Sequence, residues 1–244
     1  YGDGLVGVSK DTITDLVETL KIAAKVPMQV ILNPINPVRL QKLAQEPITH
    51  PWFQNSEIPV IVTTARLAKQ KQIDNLLRAF ARAIEETPIR LLILGEGPLR
   101  DELESLCQNL GIKESVWMPG YDRNPYRYMA NCDVFVLASA WEGCPIALQE
   151  AMACGAAVVV TDAPGGMKDI IEDGKYGMIV PTGDPDALAA GILQILTQPE
   201  LKQHYRQQAQ QRSPEFHYSN ISQQYFDFCQ SVLASPSSEK ESLK

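Results

Sequence analysis

The sequence predicts an α/β domain of the doubly wound type, with a parallel sheet covered by helices on both faces. Three observations carry this prediction. From residue 58 to 197, short β-rich runs alternate with segments of helical spacing. The runs are apolar throughout rather than at every second residue, as strands buried on both faces are. Each pair of runs is separated by enough chain for a crossover helix, which a parallel connection needs.

The elements come in order. Gly4 to Ser9 reads as a short strand leading into a helix cap, Asp11 to Leu20 as a helix, and Met28 to Leu32 as a second strand. Asn33-Pro34-Ile35-Asn36-Pro37 cannot continue either kind of element. The polar stretch to Glu57 carries two further prolines, so residues 34–57 are assigned to an interdomain linker. Strands are then predicted at Pro59–Ala65, Ile89–Leu94, Val116–Met118, Asp133–Leu137, Ala156–Thr161 and Met178–Val180. Helices are predicted at Ile73–Glu86, Pro98–Leu110, Pro125–Asn131, Pro145–Cys154 and Asp186–Leu196. Proline suits the first turn of the helices that open at Pro98 and Pro145. The Gln-rich tail from Pro199 to Leu233 is read as helical, and residues 235–244 as disordered. The chain starts at Tyr1 and runs straight into a strand pattern, which is expected of a fragment whose upstream domain is missing.

Composition narrows the function. Of 244 residues, 45% are apolar and 21% charged, the balance of a soluble globular chain. The net charge of −7 disfavours a general nucleic-acid or anionic-membrane binder. A phosphate ligand would have to be held by a few placed cations and backbone amides. Five cysteines without a Cys-x-x-Cys read as reduced, mostly buried thiols in a reducing compartment. Three scattered histidines make a zinc site unexpected. The longest apolar stretch, residues 151–160, is too short to span a bilayer, and no signal peptide is visible.

In an open parallel sheet the ligand lies beyond the carboxyl ends of the strands, so the loops there hold the candidates. The first, Ala65 to Lys71, brings Arg66, Lys69 and Lys71 to the sheet edge, as a phosphate clamp or as a solvated basic turn. Gly95-Glu96-Gly97-Pro98 permits close approach of a ligand or simply a tight turn; it lacks the third glycine of a dinucleotide fingerprint. Ser139 to Glu150 carries Glu142 in the loop, Gly143 and Cys144 at a helix start, Pro145 at its first position and Glu150 inside the helix. Amides and acids at a helix N-terminus fit an anion site or ordinary capping. Gly165 and Gly166 lead into a short helix, as a turn or as a ligand-facing loop.

Taken together, Arg66-x4-Lys71, Gly95-Glu96-Gly97-Pro98, Gly120-Tyr121, Glu142-x7-Glu150, Ala151-Met152-Ala153-Cys154-Gly155 and Gly165-Gly166 resemble the retaining glycosyltransferases of the two-domain GT-B fold, and among them glycosyltransferase family 4. The resemblance covers residues 58–197, which correspond to the family's donor-binding domain. Residues 1–33 resemble the end of its acceptor-binding N-terminal domain. Residues 198–234 resemble the C-terminal helices that pack back on that domain, through Phe216, Tyr218 and Tyr225.

The resemblance implies transfer of a hexosyl group from a nucleoside-diphosphate sugar to an acceptor hydroxyl with retention of configuration. It implies that Arg66 and Lys71 hold the diphosphate, without a metal or other cofactor. Glu142 would act at the donor sugar, Glu150 at the ribose hydroxyls, and Gly95, Gly97, Gly143, Cys144, Pro145 and Ile146 would line the donor. Met118 would frame the base, and the Gly120-to-Tyr126 pattern looks like that of UDP-sugar users. The partners implied are the donor and a glycan or lipid acceptor, with membrane contact through the missing domain and a cytoplasmic, peripheral location on the inner membrane face. A binding module without turnover is the alternative. An epimerase of the same fold would lack the Glu-x7-Glu helix, and a dehydrogenase would need the missing glycine.

Overall fold

The computed structural model describes residues 3–19, 21, 26–54 and 57–234. The tail expected to be disordered, residues 235–244, lies outside them, as does Leu20. The chain opens with β1 (Leu5–Gly7), α1 (Lys10–Glu18) and β2 (Met28–Val30), where β1 and β2 pair in parallel. Ser9 caps α1 by accepting from the Thr12 N–H.

The expected linker contains a helix, α2 (Pro37–Leu43). The prolines that argue against a continuing helix are what start this one. Asn36 caps it, accepting from the Arg39 N–H at 3.0 Å, and Pro37 occupies the first turn, where its missing N–H costs nothing. A 3₁₀ turn at Pro51–Phe53 comes next.

The main unit then runs β3 (Val60–Thr64), α3 (Ile73–Glu86), β4 (Arg90–Leu94), α4 (Arg100–Asn109), β5 (Val116–Gly120), α5 (Tyr126–Asn131), β6 (Val134–Leu137), α6 (Ile146–Ala153), β7 (Val158–Thr161), α7 (Met167–Ile171), β8 (Met178–Val180) and α8 (Pro185–Thr197). Its six strands pair in parallel in the order β5-β4-β3-β6-β7-β8. Alternate residues feed two cores. Val60, Val62, Phe135, Leu137, Val158 and Val160 face one side, with α5, α6 and α7. Ile61, Leu91, Ile93, Val134, Val136 and Val159 face the other, with α3, α4 and α8. Helix α3 shows how sequence selects its face: Ile73, Leu76, Leu77, Phe80 and Ala83 recur at helical spacing and are all buried.

The tail divides into α9 (Pro199–Arg212), a 3₁₀ turn at Ser213–Phe216 and α10 (Tyr218–Ala234). The break falls at Pro214, within a stretch whose composition alone reads as continuous helix. There the chain returns to the α2 entry: the Ile35 N–H donates to Phe216 O at 2.8 Å, and the Tyr218 N–H to Ile35 O at 3.0 Å. Cys107, Cys132, Cys144 and Cys154 are buried free thiols, and Cys229 is exposed. Among the described residues no helix is long and apolar enough to cross a membrane.

Candidate functional site

The strand order fixes the site. From β3 the chain winds outward through β4 and β5, then returns to lay β6 on the other side of β3. The loops after β3 and β6 therefore leave neighbouring strands in opposite directions and open a crevice between them. Arg66 to Lys71 lie in one loop and Ser139 to Pro145 in the other.

Across that crevice the Lys71 Nζ lies 2.5 Å from Glu142 Oε1. The Ser139 hydroxyl donates to the same oxygen at 2.6 Å. Ser139 is itself held, its carbonyl accepting from the Thr161 hydroxyl at 2.7 Å. Gln70 laces the two loops together: its carbonyl accepts from the Ala140 N–H at 2.7 Å, and its side-chain amide donates to Trp141 O at 2.8 Å. The Glu142 side chain is only 7% exposed and that of Lys71 19%, so this charge pair is screened far less than a surface pair. An ammonium has three donors. One is engaged by Glu142, which leaves two for an anionic ligand.

Glycines bring the loop backbones together. Gly95 has φ +134°, and a Cβ there would lie 2.0 Å from Ala65 O. A Cβ on Gly97 would meet the Leu67 carbonyl at 2.3 Å. Gly165 has φ +115° and touches the Glu142 backbone so closely that a Cβ would sit 1.5 Å from Glu142 O. Reciprocal bonds seal this contact: the Glu142 N–H donates to Pro164 O at 2.9 Å and the Gly166 N–H to Gly143 O at 2.8 Å.

Beside the crevice, at the carboxyl ends of β3, β4 and β5, is a cavity of about 370 Å³ lined by Arg66, Gly95, Glu96, Tyr121, Asp122 and Pro125. Arg66 is exposed at its mouth and makes no side-chain bond or ion pair among the described residues. Glu150, half-buried on α6, accepts from the Tyr126 hydroxyl at 2.9 Å. Burial pushes the Glu150 carboxyl above the usual carboxylate range, and the Tyr126 bond opposes that shift. The Tyr126 hydroxyl is pushed up to about 12 by burial and by the nearby Glu150 charge.

Most of the residues singled out from sequence thus meet at one edge of the sheet: Arg66 and Gly95 at the cavity, Lys71 and Glu142 across the crevice. Gly143 and Ile146 are exposed at the start of α6, while Pro145 is buried. Two turn their side chains elsewhere. The Cys144 side chain faces away into the joint with the N-terminal segment. Its sulfur accepts from the Asn33 N–H at 3.4 Å, its carbonyl from the Asn33 side chain at 2.9 Å, and burial pushes the thiol up to about 11. Met118 lines a separate cavity of about 420 Å³ with His50, Trp52 and Trp117, and its carbonyl accepts from Arg100 at 2.7 Å.

Gln70 and Ser139, in the two crevice loops, and Thr161, at the end of β7, have roles here that the sequence alone does not announce. Their roles depend on contacts across strands that no local motif announces.

Comparison with known proteins gives the family. The model described as glycosyl transferases group 1 matches residues 45–212. Over 208 residues the chain is 34% identical to the N-acetylgalactosamine-N,N'-diacetylbacillosaminyl-diphospho-undecaprenol 4-alpha-N-acetylgalactosaminyltransferase of Campylobacter jejuni, a match covering 85% of this chain and 54% of that protein. It is 29% identical over 175 residues to the N-acetyl-alpha-D-glucosaminyl L-malate synthase of Bacillus anthracis, covering 71% of this chain and 46% of that one. The chain spans about half the length of these curated relatives. Among solved structures, HepE of Anabaena in complex with UDP aligns with a TM-score of 0.81 at 22% identity, over 95% of this chain and 64% of that one. The sheet order, the crevice at its switch point and these matches lead to one assignment: the chain belongs to the group 1 glycosyl transferases and has the α/β sheet of a GT-B glycosyltransferase.

Proposed function

We propose that this chain is the donor-binding half of a retaining, family 4 glycosyltransferase that moves a hexosyl group from a UDP-sugar to an acceptor hydroxyl. The observation that carries the reading is the Lys71–Glu142 pair, with Ser139 on the same carboxylate oxygen, across the switch-point crevice. As the glycosidic bond breaks, negative charge grows on the departing diphosphate and positive charge on the sugar. A cation and a carboxylate held within one contact of each other complement both ends of that separation.

In this reading Arg66 and the two unused donors of Lys71 hold the diphosphate, with the exposed amides at the start of α6 assisting. Gly95 and Gly97 let the backbone approach, Glu142 serves the anomeric centre, and Glu150 accepts from the ribose hydroxyls. The base enters the cavity lined by Tyr121 and Pro125 rather than the space beside Met118. No metal or other cofactor is needed, because cations and amides already balance the diphosphate. Residues 1–33 belong to the acceptor-binding domain, and of the tail it is α10 that packs against them, through Ile221 and Phe228 on Ile31; Phe216 is instead buried in the main core, and Tyr218 and Tyr225 are exposed. The acceptor is a glycan or a lipid-linked hydroxyl, a reading supported by the diphospho-undecaprenol in the name of the Campylobacter jejuni relative. The choice of uridine is supported by the Gly120-to-Tyr126 pattern and by the UDP that HepE was solved with.

Calorimetric titration with UDP and GDP, with and without a chelator, tests this. Binding of UDP in the chelator is expected. Strict dependence on magnesium or manganese, or a preference for GDP, would overturn the corresponding part.

A further inference from the structure

We propose that Asp11 is a positioning residue for Glu142, acting through Gly165. This rests on the reading of Glu142 given above. The Asp11 carboxylate accepts from the Gly165 N–H at 2.7 Å, across 154 residues of sequence. Gly165 is the residue whose left-handed backbone touches the Glu142 carbonyl, between the two reciprocal bonds that join Pro164 to Glu142 and Gly166 to Gly143. A shift of the turn therefore shifts the backbone from which the Glu142 side chain springs. That side chain has two contacts to keep, Lys71 and Ser139, both under 3 Å in heavy-atom distance.

Capping does not account for Asp11. Ser9 already caps α1 through the Thr12 N–H, and its side chain also meets the Thr12 hydroxyl at 2.7 Å. The start of α1 is anchored independently by the next residue back: the Lys10 N–H donates to Asp169 Oδ2 at 2.8 Å, and its ammonium lies 3.3 Å from Asp169 Oδ1. Two neighbouring residues of α1 thus grip the turn before α7 and α7 itself. The same face meets the second half of the site, since a Cβ on Gly166 would lie 3.3 Å from Ser9 Cβ and one on Gly143 3.7 Å from a Val8 methyl. A charge-assisted bond to a backbone amide is the strong kind. It ties the strand–helix unit at the start of the chain to the loop that holds the reacting carboxylate.

Three variants of the full-length protein test the coupling: Asp11→Ala, Asp11→Ser, whose hydroxyl is too short to reach the amide, and Asp11→Asn, which keeps an acceptor oxygen. Amide hydrogen exchange, read without donor, should rise about tenfold or more in residues 140–145 as well as 163–167 for Ala and Ser, and stay near wild type for Asn. Steady-state kinetics should show kcat falling roughly tenfold for Ala and Ser, because small misplacement of a reacting group is costly, while UDP affinity stays within about twofold. Asn should restore kcat to within about threefold. A lowered melting temperature with unchanged exchange at 140–145 and unchanged kcat would make Asp11 merely structural and overturn the proposal. If Ala does not fold, Ser and Asn decide it by the same readings. A wild-type protein that transfers no sugar would instead sink the reading of Glu142, and the exchange data would still report the coupling.

Discussion

The ammonium of Lys71 and the carboxylate of Glu142 meet at 2.5 Å although 71 residues separate them, because β3 and β6 are neighbours in the sheet. Removing either partner alone leaves a poorly hydrated charge. Lys71→Met is expected to lower stability by about 1–3 kcal/mol. The double variant with Glu142→Gln should recover part of that loss, since no charge is then stranded. Urea unfolding of the two singles and the double gives the coupling energy directly. Full additivity would mean that the pair is hydrated and weak.

Glu142→Gln should reduce turnover by about 10²–10³ in the full-length enzyme while UDP affinity remains measurable. The amide keeps the shape and loses the charge that matters as the bond breaks. Pre-steady-state and steady-state rates with matched UDP titrations separate the two effects. Turnover close to wild type would take Glu142 off the reacting centre.

Arg66→Ala offers the opposite pattern. The side chain is exposed and makes no bond or ion pair among the described residues, so stability should change by no more than about 0.5 kcal/mol. UDP affinity should nevertheless drop by roughly tenfold or more, the loss of a charge-assisted contact. Thermal melting with and without UDP reads both quantities in one experiment.

Glu150 ties stability to pH. Burial raises its folded-state pKa above the unfolded value, so the native state holds the proton more readily. Its contribution to stability therefore falls as pH rises from the unfolded value through the raised folded one, and the full burial cost remains above it. Glu150→Gln should flatten the stability–pH curve over mildly acidic pH and leave the protein at least as stable at pH 8. On the proposed ribose role of Glu150, it should also weaken UDP binding. Urea midpoints at pH 5 and pH 8 check the first statement and calorimetry the second.

Gly165→Ala should cost about 1–3 kcal/mol from backbone conformation alone, and more from the contact with Glu142 O. Gly174→Ala is the control, since Gly174 has φ +99° with open space around it. A larger loss at 165 than at 174, measured by chemical denaturation, isolates the loop contact.

The sheet is legible in sequence because its central strands are apolar runs buried on both faces, as Val134–Leu137 is, whereas the edge strand Val116–Gly120 carries Pro119 and is only partly buried. The site is legible wherever its residues stand in loops after those runs. Helix α2 is not. Asn36-Pro37 breaks the segment before it and starts the helix after it, and the Asn36 cap on the Arg39 N–H shows the second role. The placement of Cys144 escapes the sequence because a helix start presents both a ligand-facing amide and an inward side chain. Its contact with Asn33 is 111 residues away in sequence. Met118 sits on the edge strand β5, and local sequence does not say which face of an edge strand a side chain takes.

The bonds that Ile35 makes to Phe216 and Tyr218 lay the entrance and the exit of the six-stranded unit side by side. A unit whose two ends adjoin can be relinked at that point and reopened elsewhere without tearing its sheet. A circular permutant with Ile35 and His217 bridged by a short linker, and new ends at the turn around Gly174, would keep every strand pairing of the unit intact. It would also free the large unit from the strand–helix segment ahead of it, so that any hold the unit has on UDP is measured apart from that segment.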